Sequence, residues 1–225
     1  MIELISLYKS YREGNARRPV FQALDARFEP GSFVCITGRS GTGKSTLLNL
    51  VSGIDLPDDG EVRVGGKNIA AMPDRDRTLI RRRRIGFVFQ FFNLISTLTV
   101  EENLRLPLEL NNLDEDRGQH IRELLARVGL SDRHDSYPEN LSGGEQQRVA
   151  VARALVHGPD IVLADEPTGN LDQDTGRDVL ELLSRMVRDA GVTLLMVSHS
   201  AEAAGWADRV MHIDAGALVP VERVD

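Results

Sequence analysis

The 225-residue chain is 41% hydrophobic and 27% charged, enough to bury a substantial core within one large globular domain or one domain carrying a sizeable insertion. Its formal net charge of −7 argues against a protein whose main task is to coat nucleic acid or anionic lipid, because both demand a basic surface. No run approaches the roughly 18 apolar residues that span a bilayer, and the opening MIELISLYKSY is broken by Glu3 and Lys9 before a signal-peptide core forms, so a cytosolic chain is expected.

Residues 1–8, 20–28 and 33–37 read as strands, with Asn, Gly and Pro marking the turns. The single cysteine, Cys35, lies in the third of these and reads as a buried free thiol. A helix is expected over 44–51, then a turn at 56–60, a short strand at 61–64, a helix over 73–84 and a buried strand at 85–89. The arginine run Arg81, Arg82, Arg83, Arg84 reads as the solvated end of that second helix. From about residue 99 to 140 the strand signals vanish. Residues 101–110 and 114–128 read as amphipathic helices, the first bent by Pro107, the second carrying Ile121, Leu124, Leu125 and Val128 on one face. Residues 142–157 form a helix closed by Gly158 and Pro159. Strands at 161–164, 193–197 and 209–213 are separated by helices at 174–189 and 200–207. This alternation predicts an α/β fold with a mainly parallel sheet.

Gly38, Arg39, Ser40, Gly41, Thr42, Gly43, Lys44 and Ser45 match G-x-x-x-x-G-K-[ST], after a buried strand and before a helix, where that motif belongs. Glycines let the backbone wrap phosphate oxygens, and the helix N-terminus offers unpaired N–H groups and a positive dipole end. Lys44 would reach the β and γ phosphates while Ser45 ligates Mg2+. The run therefore predicts binding and hydrolysis of MgATP. Residues 161–166, IVLADE, read as an apolar strand ending in two acids. Asp165 would serve the Mg2+ shell and Glu166 would polarise the attacking water as general base. Gln90 follows the strand 85–89, and His199 follows the strand 193–197. Ligands of open α/β sheets bind outside the carboxyl ends of the strands, so Gly38, Gln90, Asp165 and His199 are expected to converge on one crevice. Gln90 would ligate Mg2+ or water; His199 would contact the γ-phosphate and hold the water and Glu166 in place.

The stretch LSGGE at 141–145 is less ordinary. Ser142 with Glu145 makes a capping box, which alone signals a helix start. Gly143 and Gly144 in the first turn each cost about 1 kcal/mol against alanine. Such glycines suit a backbone approached by a ligand, so this helix N-terminus is expected to grip a phosphate too.

GRSGTGKS at 38–45, Gln90, LSGGEQQ at 141–147, VLADE at 162–166, NLD at 170–172 and His199 together resemble the ATP-binding subunits of ABC transporters, over essentially the whole chain. The resemblance implies a P-loop NTPase fold with an N-terminal antiparallel β portion and an inserted helical subdomain. The chain would be one ABC ATPase domain, 1–225, with a RecA-like core at about 1–89 and 159–225 and the helical subdomain at about 90–158. It further implies a head-to-tail dimer in which Ser142, Gly143 and Gly144 of one copy, with Glu145, cover the γ-phosphate held by Lys44 of the other. Asp172 would communicate across that dimer, and Thr46 would extend the phosphate-binding run. Tyr11 lies where the family places an aromatic residue stacking on adenine, with Tyr8 a nearby alternative.

GFVFQFFNLISTLTVEENLRLPLEL and LADEPTGNLD resemble the branch that serves lipoprotein release and macrolide or peptide export. In that branch the integral membrane permease subunits are separate from the ATPase or fused to it; this sequence shows no transmembrane segment, so separate polypeptides are expected if it serves transport, with a peripheral location on the inner face of the plasma membrane and export or membrane extraction. Phe91, Phe92, Leu94 and Ile95 would line the groove that receives the permease's coupling helix, or else pack between the two lobes. Ser198 and Ser200 flank His199 where Thr and Asp are frequent in the family. The rival is a soluble ABC ATPase acting on nucleic acid or ribosomes. Such proteins usually carry two ATPase halves or a long coiled-coil insertion; this sequence has neither, and its acidic balance opposes nucleic-acid binding. An accessory subunit that binds ATP without turnover is opposed by the intact Glu166 and His199.

Overall fold

A computed structural model describes residues 1–14, 16–113 and 118–221. In chain order its elements begin with strands β1 (Ile2–Glu13), β2 (Ala16–Phe28) and β3 (Phe33–Thr37), then helix α1 (Lys44–Ser52). Next come β4 (Asp59–Val64), β5 (Lys67–Asn68), α2 (Asp74–Arg84) and β6 (Ile85–Phe89). Helices α3 (Val100–Leu110), α4 (Gly118–Arg127) and α5 (Gly143–Leu155) follow, with a 3-10 turn at Pro138–Asn140. The chain continues through β7 (Ile161–Asp165), α6 (Gln173–Asp189), β8 (Thr193–Val197), α7 (Ala201–Gly205), β9 (Arg209–Asp214) and β10 (Ala217–Pro220).

Most boundaries fall within two residues of the sequence reading; the exceptions have physical causes. β1 runs on to Glu13 and β2 begins at Ala16, because the two pair as a hairpin through Tyr11↔Arg18, Arg12↔Arg17 and Glu13↔Ala16. Tyr11 to Glu13 and Ala16 to Pro19 are exposed, so backbone pairing holds this part of the ribbon, and it shows no alternation for a sequence reader to find. β5 and β10 are short strands without a hydrophobic period of their own. The helix expected over 114–128 is α4, and residues 114–117 of that expectation lie outside the described residues.

The described residues divide into two compact units, Met1–Arg81 with Thr193–Asp225, and Arg82–Val192. The first unit has an antiparallel sheet in the order β2-β1-β4-β5. Ile2, Leu4, Leu7, Phe21, Phe28, Val62 and Val64 are buried within it. Its parallel strands place β3 between β8 and β9, with β10 antiparallel beside β9. Val34, Cys35 and Ile36 are fully buried, as are Leu194 to Val197, which is how strands covered on both faces read. Cys35 is a free buried thiol as expected. In the second unit β6 and β7 pair in parallel, and α5 packs against β6, α3 and α6. Its core contains Val88, Leu104, Leu108, Ile121, Val149, Val162, Val179 and Leu183.

The arginine run of α2 departs from the expected solvated end. The helix buries no residue completely, yet Arg81 donates to the Gly53 carbonyl at 2.7 Å and to Thr78 Oγ1, and Arg84 pairs with Asp160. These arginines cap carbonyl and carboxylate groups of neighbouring segments, so they join elements as well as solvate them.

His157, just beyond α5, is held below its ordinary pKa by burial, opposed by a contact with the Ile85 backbone. The native ring is therefore neutral where the unfolded ring would already take a proton. Stability from this group is complete above the unfolded value of about 6.5 and is lost as pH falls below it. The expected result is a steeper fall in melting temperature from pH 7.5 to pH 5.5 for the natural protein than for His157→Gln; equal slopes would mean that another group controls acid sensitivity.

Candidate functional site

In the first unit β3 ends at Thr37, and the chain loops from Gly38 to Gly43 before α1 begins at Lys44. Gly43 occupies the N-cap position with φ 102° and offers no side-chain hydrogen bond to the helix. A Cβ there would stand 2.4 Å from Val20 Cγ1, so both the left-handed backbone and the closeness of β2 require glycine. The first N–H groups of α1 lack a side-chain cap, and no acidic residue occupies the first turn. That end of the helix suits an anion. Lys44 Nζ lies within the loop, donating to the Gly38 carbonyl at 2.9 Å and the Arg39 carbonyl at 3.3 Å. Arg39, Ser40, Gly41 and Ser45 are exposed, and Thr42 and Thr46 are partly so. Leu47, Leu48, Leu50 and Val51 anchor the helix behind them.

β8 runs parallel to β3 with Ile36 opposite Val197, so His199 and Gly38 leave the same sheet edge. The two serines beside His199 have distinct tasks. Buried Ser198 donates its N–H to the Ile36 carbonyl at 3.1 Å, and its Oγ accepts from Ser200 N at 3.1 Å. Ser200 caps α7 by accepting from Ala203 N, a task serine performs as well as aspartate. His199 itself is exposed between these two ties.

Of the two tyrosines near the start, Tyr11 is the one beside the loop's helix. Its hydroxyl donates to Asp55 Oδ2 at 2.7 Å and makes a further hydrogen bond with Thr46. Burial, followed by Asp55, pushes the Tyr11 pKa above its ordinary value.

In the second unit Phe89 pairs with Asp165, so Gln90 and Glu166 leave adjacent strand ends. Gln90 Nε2 donates to Asn170 Oδ1 at 3.1 Å, and Asn170 Nδ2 donates to the Gln90 carbonyl at 3.0 Å. A Cβ on Gly169 would meet the Gln90 amide at 2.8 Å. Glu166 holds φ 47°, a left-handed conformation that costs a non-glycine residue about 1 kcal/mol or more, and such strain concentrates where function needs it. Its carbonyl accepts from Gly169 N at 3.0 Å, closing the turn.

Gln147 was not singled out by sequence, although it lies in LSGGEQQ. It is fully buried and donates to the carbonyls of Phe89 and Pro167, the residues before Gln90 and after Glu166. It ties the two strand ends together. Asn170 likewise passed only as part of NLD, because its pairing with Gln90 joins residues far apart in sequence.

Ser142 and Glu145 form the expected capping box, Ser142 N donating to Glu145 Oε2 at 2.8 Å and Glu145 N to Ser142 Oγ at 3.3 Å. The Ser142 backbone N–H is the main cause that holds the Glu145 carboxyl below its ordinary pKa. The glycines divide. A Cβ on Gly144 would lie 2.5 Å from Thr175 Cγ2, so this glycine is explained by the close approach of α6. Ser142 is exposed and Gly143 partly exposed, and they retain a surface for a ligand. Asp172 caps α6, accepting from Thr175 N at 3.0 Å, and hydrogen bonds from the Thr175 side chain and then from its backbone lower the Asp172 pKa.

After Gln90 the backbone is again unusual. Phe92 and Asn93 both adopt positive φ, 59° and 51°. Arg153, whose pKa burial lowers, donates to both their carbonyls at 2.9 and 2.6 Å. Phe91 is left 72% exposed, and Ile95 is 39% exposed.

In the second unit the Asp165 carboxylate and the Gln90 amide oxygen, whose amide nitrogen is already engaged with Asn170, stand at adjacent strand ends, and in the first unit Ser45 offers an exposed hydroxyl. These hard oxygen donors fit Mg2+, which takes one or two side chains together with substrate phosphates. Among the described residues no three His, Cys, Asp or Glu are grouped to hold a metal by themselves.

Comparison with known proteins supplies the wider context. The ABC transporter family profile matches residues 21–169. An uncharacterized ABC transporter ATP-binding protein of Mycobacterium tuberculosis is 52% identical over 98% of this chain and 89% of its own length. The lipoprotein-releasing system ATP-binding protein LolD of Xanthomonas campestris is 46% identical over 94% of this chain and 89% of its own. Among solved structures, the dimeric post-hydrolysis state of an ATP-binding cassette bound to ADP and Pi is similar with a TM-score of 0.89 and 37% identity, covering 100% of this chain and 99% of that one.

Proposed function

The chain belongs to the ABC transporter family, as an ATPase subunit, and from that footing we propose that it dimerises head to tail on MgATP and powers separate membrane subunits. Lys44 holds the β and γ phosphates at the uncapped start of α1. Glu166 takes the proton of the attacking water, and His199 holds that water against the γ-phosphate. Ser45, Asp165 and Gln90 are the donors for Mg2+, which when bound neutralises charge on the phosphates. Ser142 and Gly143 of a second copy cover the γ-phosphate from the other side, and Asp172 carries the state of one site to the other. The observation that supports hydrolysis most strongly is Glu166, kept at a left-handed backbone position at the end of β7.

The permease partner is supported by the exposed Phe91 and Ile95 on a backbone segment fixed by Arg153. Exposed aromatic surface rimmed by polar groups is a usual place for protein docking. We assign that surface to the coupling helix of a membrane subunit, with the chain on the cytoplasmic face. Among the described residues no helix is long and apolar enough to cross a membrane. Similarity to LolD supports export or membrane extraction of a lipidated or amphipathic substrate. The experiment is copurification from detergent-solubilised membranes. A multi-span protein should accompany the natural chain and be lost with Phe91→Asp; bound nucleic acid, or no membrane partner, would contradict the transport reading.

A further inference from the structure

Lys9 is charged yet only 6% exposed. Its ammonium donates to Asp55 Oδ1 at 2.6 Å and to the Leu56 carbonyl at 2.7 Å, and it lies over the Tyr11 ring at 5.0 Å from the centroid. Asp55 divides its oxygens: Oδ1 takes Lys9 and the Leu56 N–H, and Oδ2 takes the Tyr11 hydroxyl. Burial alone would raise the Asp55 pKa, but hydrogen bonds from Lys9, Tyr11 and Leu56 hold it below the ordinary carboxylate value. Next along β1, the Ser10 N–H and hydroxyl both donate to Asp58 Oδ2, at 2.8 and 2.7 Å. β1 is thereby fastened at Lys9, Ser10 and Tyr11 to the segment that follows α1.

We propose that Lys9 and Asp55 are positioning residues that fix the Tyr11 ring as the platform for the adenine base, one face covered by the Lys9 ammonium and the other left to the nucleotide. This rests on the MgATP reading above. Three features carry it. The ring is held at both its hydroxyl and its face, which removes the rotational freedom that a stacking partner would otherwise have to quench. The carboxylate that holds it belongs to the turn after α1, the helix whose first residue is Lys44, so base platform and phosphate loop are ends of one braced segment. Lys9 is buried while its partner Asp55 keeps 29% of its side chain exposed, and desolvating a lysine is costly compared with burying an apolar side chain of similar size, so a positional task accounts for Lys9 better than stability does.

The test uses the full chain and steady-state hydrolysis with ATP, alongside inhibition by inorganic tripolyphosphate, which lacks a base. Stacking of a base on an aromatic side chain is worth about fivefold to a hundredfold in affinity. Asp55→Ala and Lys9→Met should raise KM for ATP by about fivefold or more, with kcat and tripolyphosphate inhibition unchanged. Tyr11→Phe, which keeps the ring and removes only its anchor, should move KM in the same direction and avoids the folding risk of the Lys9 substitution. Unchanged KM in Asp55→Ala and Tyr11→Phe would overturn the proposal. So would a parallel loss of tripolyphosphate inhibition, since that would make the network a support of the phosphate loop. Failure of the underlying site reads differently: Lys44→Ala would then leave binding of both ligands intact.

Discussion

Lys44→Ala is expected to weaken MgATP binding by at least about a hundredfold, roughly 3 kcal/mol, in calorimetry. The size follows from what the ammonium does. A flexible point charge at the start of an uncapped helix meets the most highly charged part of the ligand, and truncating one partner of such a pair leaves the other unmatched. The fold should tolerate the change. Lys44 Nζ contacts the Gly38 and Arg39 carbonyls of its own loop, while α1 is held by Leu47, Leu48, Leu50 and Val51. A melting temperature near that of the natural protein, together with lost affinity, places the phosphate site at this loop. Unaltered affinity would place it elsewhere.

Glu166→Gln is expected to slow hydrolysis by about a hundredfold to ten-thousandfold, the usual contribution of a positioned general base, while ATP still binds. Glutamine has the shape of glutamate and can keep hydrogen bonds, but it cannot accept the water's proton. The backbone bears on this argument. Glycine would occupy φ 47° with less strain, so a glutamate there reports a requirement for the side chain. Gln147 bridging Phe89 and Pro167 keeps the strand ends in register, and Asn170 with Gly169 keeps Gln90 in place. Turnover within a few-fold of the natural enzyme would move the base to another residue.

The two predictions differ in how far sequence reading reaches. The loop at Gly38 was legible because its chemistry is continuous in sequence: one strand, one glycine-rich turn, one helix. The buried strands β3, β6, β7 and β8 were legible for a similar reason, as short apolar runs closed by polar residues. What escaped was built by pairing across distance. Gln147 looks like one more polar residue in a helix until its side chain is found fully buried against two carbonyls. Asp55 sits in an ordinary turn and acquires a role only because β1 carries Lys9 and Tyr11 to it. The outer half of the β1–β2 ribbon lacks a pattern because both its faces meet solvent. Gly144 teaches the reverse lesson. A glycine in a first turn suggests a ligand, and Ser142 and Gly143 keep the exposed surface that such a ligand needs, but at Gly144 the reason is the nearby Thr175 methyl.

The proposed dimer joins these parts into one enzyme, since it asks the exposed Ser142 of one copy to complete the loop of the other. The measurement that reaches it most directly is the molar mass of Glu166→Gln by light scattering in line with sizing chromatography, with and without MgATP. The account predicts a monomer without nucleotide and a dimer with MgATP, because slowed hydrolysis leaves the closed state to accumulate, and it predicts that Ser142→Arg abolishes the dimer without loss of ATP binding. A protein that binds MgATP and remains monomeric would contradict the claim that two copies complete each site.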